Sequence, residues 1–289
     1  MTASDIRDVS DTAIWVAQYR ALETERPDAL FKDDLARALV GPRGAVIAEG
    51  MKGAFRYIQW SVVMRTVIID RLILKLVGEG VDTVINLGAG LDTRPYRLAL
   101  PQSLRWVEVD HASVIGHKGK VLSAERPRVR LERIALDLAD TVKRRELFAR
   151  LGSEAANALV LTEGVIPYLT EEQVASLADD LHAQATFRSW IAEYFAPAMY
   201  RHFRSRERTE RMKNAPFRFF PTDWLGFFEA HGWISREVEY LAEETIRVGR
   251  AMPLPLWARL FLRLAPGRAV EKHRRLAGYV VLTPVNPAE

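Results

Sequence analysis

Three acidic residues and one glycine turn fall where short apolar runs end, and this spacing is the chemistry-bearing feature of the chain. The run Val84 to Leu87 passes into Gly88-Ala89-Gly90. Later runs end at Asp110, Asp137 and Glu163. Glycine adopts conformations that other residues resist, and its missing side chain lets a ligand lie against the backbone. An acid about 20 residues beyond a strand-glycine turn is the spacing of a nucleotide site, where a carboxylate accepts from ribose hydroxyls. Asp110 fits that role. Asp137 could accept from an adenine amine with Leu138 beside the ring, and Glu163 could anchor an ammonium. Arg65, set in an apolar helical stretch, could form a bidentate pair with a carboxylate. Ribose, adenine, ammonium and carboxylate together describe an amino-acid nucleoside, S-adenosylmethionine.

Other readings stay open at this point. Glycine pairs also occur in ordinary turns, and acids are common just after strands. Thr93 stands where a dinucleotide fingerprint has its third glycine, which weakens an NAD-dependent oxidoreductase without removing it. A non-catalytic binding protein on the same core is the other alternative. No phosphate-binding G-x-x-x-x-G-K-[ST] loop is present, which lowers a kinase or GTPase reading.

Composition narrows the classes further. With 289 residues, 48% hydrophobic and 27% charged, the chain can bury a large core as one domain, with or without a cap. The absence of cysteine excludes disulfides, thiolate nucleophiles and cysteine metal sites. With six histidines and no H-x-x-x-H helix, no metal site is expected. The net charge of +4 is spread along the chain, as on an arginine-rich solvated surface, and no nucleic-acid recognition motif accompanies it. No secretory leader or membrane-length apolar run is evident, so a cytoplasmic protein without stable membrane insertion is expected.

The elements that must position these residues follow from periodicity. Residues 10–24 and 28–40 read as helices with a turn at 41–44, residues 45–60 suggest more helix, and a longer helix spans 61–77. Residues 1–77 thus form a helical lid and a lead-in helix. From residue 78 to 289, apolar runs at 83–87, 104–110, 129–137, 158–163, 187–195, 233–240 and 278–283 alternate with helices. That pattern predicts a doubly wound α/β core of seven strands, the last closing the sheet. Residues 197–221 crowd arginines with Tyr200, Phe203, Phe217 and Phe219, and read as an insertion after the fifth strand. The apolar stretch 251–265 could pack on the core, rest on a membrane, or join two copies as a homodimer, packing being the default. Tyr19 and Tyr168 are candidates to line the pocket or touch the transferred group. Glu193, His202 and His231 are lesser candidates for a base.

The stretch N-L-G-A-G-L-D-T-R-P-Y-R-L at 86–98, with V-E-V-D at 107–110, closely resembles the leucine carboxyl methyltransferase-like family of S-adenosylmethionine-dependent methyltransferases. T-A-x-x-V-A-x-Y-R-A-x-E at 12–23, R-P-D-A-L-F at 26–31, R-T-x-x-I-D at 65–70 and T-E-G-V-I-P-Y-L at 162–169 agree. The resemblance covers residues 10 to about 195 and thins beyond. It implies a class I, Rossmann-like methyltransferase core under an N-terminal helical lid, acting on a small-molecule methyl acceptor through a carboxylate or hydroxyl. It assigns Arg65 to the donor's carboxylate, Gly88, Ala89, Gly90 and Asp110 to the nucleoside, Asp137 and Leu138 to adenine, and Glu163 to the amine. Pro95 and Pro167 depart from the family pattern and bear on local geometry.

Overall fold

The computed structural model describes residues 9–50, 55–205, 213–254 and 266–285. Apolar runs without alternation are the mark of strands covered on both faces. β1 (Thr83–Leu87) and β4 (Ala158–Thr162) are such runs, buried at every position. They lie side by side at the centre, flanked by β2 (Arg105–Asp110) and β3 (Arg130–Ala135) on one side and β5 (Phe187–Phe195) on the other. All five are parallel. β6 (Trp233–Tyr240) and β7 (Ala277–Pro284) complete a seven-stranded sheet in the order β3-β2-β1-β4-β5-β7-β6.

The last strand does not close an edge, as the alternation had suggested. β7 lies between β5 and β6 and runs antiparallel to both. Periodicity reports which faces of a strand are buried and carries no information about its neighbours, so this insertion was not readable from the run itself.

Helices cover both faces. α3 (Phe55–Gly78) presses Ile68, Ile69, Leu72, Ile73 and Leu76 onto Val84, Trp106, Leu159 and Val281. Full burial of each aliphatic side chain is worth roughly 1.5–3 kcal/mol, so α3 is a firm platform for Arg65. On the opposite face α4 (Thr141–Glu154) and α5 (Glu171–His182) supply Phe148, Leu151, Val174 and Leu177 against Val160, Trp190 and Trp233. Thr170 begins α5 with a capping box closed by Gln173, as its T-E-E-Q sequence predicts.

The N-terminal helices differ from expectation in their limits. α1 (Val9–Thr24) matches, but α2 (Asp34–Gly50) begins six residues late. Leu30 N–H donates to Glu23 Oε1 and Asp33 N–H to Thr24 Oγ1, so side chains of α1 hold this segment outside a helix. The turn expected at 41–44 is a kink inside α2, where Gly41 takes φ 58° and ψ −164°. α3 starts six residues earlier than its predicted lead-in. Of the insertion, residues 206–212 lie outside the described residues, as do residues 255–265 of the apolar stretch proposed as a subunit contact. Among the described residues, no helix is long and apolar enough to cross a membrane.

Candidate active site

A cavity of about 690 Å³ opens at the carboxyl ends of β1, β2 and β4 and reaches under α1. In an open α/β sheet this is where ligands bind. The glycine turn forms its floor. Gly88 and Ala89 N–H both donate to Val109 O, at 2.8 and 3.2 Å, tying the end of β1 to the end of β2. Gly88 has φ +65°, and a Cβ there would lie 2.4 Å from Val165 Cγ2. The position therefore requires glycine for conformation and for space.

Asp110 bridges the two strand ends. Its Oδ2 accepts from Gly90 N–H at 2.7 Å and its Oδ1 from His111 N–H at 2.7 Å. Each oxygen keeps a second lone pair for a ligand hydroxyl. Asp137 stands two residues past β3, exposed, with Oδ1 accepting from Ala139 N–H at 2.9 Å. Asp110, Asp137 and Leu138 all line the cavity.

The other end is an ionic cluster. Arg65 Nε lies 2.9 Å from Glu163 Oε1, without the alignment of a hydrogen bond. Arg94 Nη1 reaches Glu163 Oε2 at 2.6 Å and Asp92 Oδ2 at 2.9 Å, while its Nε reaches Asp70 Oδ1 at 2.6 Å. Asp70 also pairs with Arg97. Burial alone would push the Glu163 carboxyl up, but Arg94 and then Arg65 override it and hold Glu163 below the usual carboxylate range. Asp92 is held well below that range by the same contest, with Arg94 the leading opponent of burial. The hub of this cluster is Arg94. It lies inside the motif at 86–98, yet nothing local in the sequence reveals that Asp70 and Glu163 converge on it. Asn86, Asp92, Arg20 and Tyr279 are further cavity residues that sequence reasoning left without a role.

The two tyrosine candidates part company. Tyr168 lines the cavity, with its ring 5.1 Å from that of Phe217 in an edge-on contact. Tyr19 does not belong to the cavity wall. The i, i+4 row Thr12, Val16, Arg20 faces the cavity, while Tyr19 is fully buried and packs with Trp15, Val62 and Ala215. Burial pushes its phenol up to about 12 against an opposing bond from Trp15. Of the lesser base candidates, His202 is in the wall, Glu193 lies behind it, and His231 pairs instead with Asp179 at 2.7 Å.

These residues fit an amino-acid nucleoside. Arg65 and Glu163 carry the charges complementary to an amino-acid zwitterion, and Asn86 Oδ1 is buried without a partner among the described residues. The sheet order is that of a class I methyltransferase fold, and the family match and relatives show an S-adenosylmethionine-dependent methyltransferase. The family model for leucine carboxyl methyltransferase matches residues 13–182, and the chain belongs to that family. A Streptomyces avermitilis protein, whose name classes it provisionally as an S-adenosyl-L-methionine-dependent methyltransferase, is 31% identical over 255 residues. The alignment spans 84% of this chain and 89% of that relative. A similarly named protein from Streptomyces coelicolor is 31% identical over 260 residues, 83% of this chain and 88% of its own. Among solved structures, a DUF574 family protein from Streptomyces avermitilis superposes with a TM-score of 0.58 at 13% identity, covering 93% of this chain and 96% of that one. The oxidoreductase alternative is set aside by the family match.

Proposed function

We propose that this methyltransferase O-methylates a small aromatic or acidic molecule, on a carboxylate or a hydroxyl. The observation that carries the reading is the composition of the cavity beyond the glycine turn. There the wall is built by Trp15, Tyr168, Met199, Phe203 and Phe217, with Arg218 from the insertion beside them. Aromatic walls suit a flat ring, and a guanidinium suits an anionic substituent. The whole cavity, about 690 Å³ and lined in part by α1 and α3, is of the size that takes a small acceptor beside the donor.

Arg65 and Glu163 would hold the donor's carboxylate and amine, Asp110 its ribose, and Asp137 with Leu138 its adenine. When bound, S-adenosylmethionine supplies a sulfonium methyl group that an acceptor oxygen can take. The chain's own contribution is alignment and exclusion of water, with the lid covering the site. A carboxylate acceptor needs no base, whereas a hydroxyl gains from one, and Tyr168 and His202 are the wall residues placed to orient it. The test is methyl transfer from labelled donor to a panel of acidic and aromatic metabolites, with products read by mass. Turnover confined to amines or thiols would overturn the oxygen assignment.

A further inference from the structure

Glu193 is a buried carboxyl that the reading above does not use. It sits near the end of β5, 3% exposed, in register with Tyr279 on β7. Its Oε1 accepts from the N–H of Gly164, the residue directly after Glu163. Its Oε2 has no hydrogen-bond partner among the described residues. The contrast with its neighbours is sharp. Asp70, Asp92 and Glu163 are each within 2.9 Å of an arginine nitrogen, and no such ion pair is formed by Glu193 among the described residues. An ionised carboxylate left with a bare oxygen in a buried place is costly, and a neutral acid much less so.

We infer that Glu193 is an uncharged positioning residue for the donor's amino-acid end, tethering the Glu163-Gly164 turn while leaving the Arg65 guanidinium to the ligand's carboxylate. The inference rests on Arg65 as the holder of that carboxylate. The groups facing Glu193 are Arg65 from α3, Glu163 from the end of β4 and Tyr279 from β7. Burial pushes the Glu193 carboxyl up to about 7; the bond from Gly164 and the charge of Arg65 pull it down, and Glu163 opposes them. Once ionised, Glu193 would compete for Arg65 and repel an arriving carboxylate. A ligand carboxylate favours the protonated acid, so donor affinity is full below about 7 and declines as pH rises through that value. A glutamine keeps the uncharged state, with an amide oxygen to accept from Gly164 and no proton to lose.

The test is calorimetric titration of the full chain with S-adenosylhomocysteine from about pH 6 to about pH 8.5, on wild type, Glu193→Gln and Glu193→Ala. Wild type should weaken roughly tenfold across this range. Glu193→Gln should bind within about twofold of wild type at the acid end and lack that decline, and Glu193→Ala, also without the decline, should be about tenfold weaker than Glu193→Gln throughout. Titration of the ligand's own amine is common to all three proteins and cancels in their comparison. Identical pH profiles for wild type and Glu193→Gln overturn the inference, as does a Glu193→Gln variant as weak as Glu193→Ala. Arg65→Met in the same titration reads the underlying assignment separately. Unchanged affinity there removes Arg65 from the donor site, whatever Glu193 does.

Discussion

Arg20 in the first helix donates through Nη2 to Leu91 O at 2.5 Å, joining residues 71 positions apart and fastening α1 to the turn that floors the cavity. The same guanidinium donates through Nε to Asp33 Oδ2 at 2.8 Å, so α1, the start of α2 and the glycine turn share one side chain. Ala13 completes the contact, since a Cβ on Gly90 would lie 3.4 Å from its own.

Arg20→Met should therefore loosen α1 from the glycine turn and strand Asp33, which is fully buried on its side chain. Removing one member of a buried ion pair costs about 3–5 kcal/mol. Urea unfolding should show a loss of that order, and Arg20→Met/Asp33→Asn should recover part of it. Equal stability of the single and double variants would mean that Asp33 is compensated elsewhere.

Asp110→Ala should weaken S-adenosylhomocysteine binding by one to two powers of ten. It removes the acceptor proposed for the ribose and releases Gly90 N–H and His111 N–H, bonds to a charged group worth about 1.5–3 kcal/mol each. Asp110→Asn keeps one acceptor oxygen and should fall between the two. Calorimetry at fixed salt reads both, and an unchanged affinity in Asp110→Ala would remove this residue from the nucleoside site.

Acid should dismantle the ionic cluster. Glu163 and Asp92 are both held below their ordinary values of 4.5 and 3.8, against burial, by Arg94 and its neighbours. A carboxyl depressed in the folded state contributes stability above its unfolded value and loses it as pH falls through the folded value. Unfolding free energy should thus drop below about pH 4.5 in wild type. Glu163→Gln should start less stable at neutral pH and show a shallower drop. Parallel curves for the two proteins would place the acid sensitivity elsewhere.

Much of the cavity floor was legible in the chain itself. The apolar runs, the glycine turn and the acids after β2, β3 and β4 are local signals, each written within a few residues, and the turn's spacing to Asp110 added a chemical meaning. The candidates Tyr19 and Tyr168 could not be told apart in the same way. Neither pair of sequence neighbours, Gln18 and Arg20 or Pro167 and Leu169, says which ring meets the cavity, and only the rotation of α1 on α3 decides that Thr12, Val16 and Arg20 face the cavity while Tyr19 faces Val62.

By itself, then, the sequence determined the strands, the turn and the positions of Asp110, Asp137 and Glu163, because strand periodicity and glycine conformation act over neighbouring residues. Tertiary structure alone decided that Arg94 would join Asp70, Asp92 and Glu163, since two of those partners lie 24 and 69 positions away. It also decided that β7 would pass between β5 and β6, bringing Tyr279 opposite Glu193. Such contacts arise from packing distant segments at close range, and the buried charges select their partners only after that packing has removed the water.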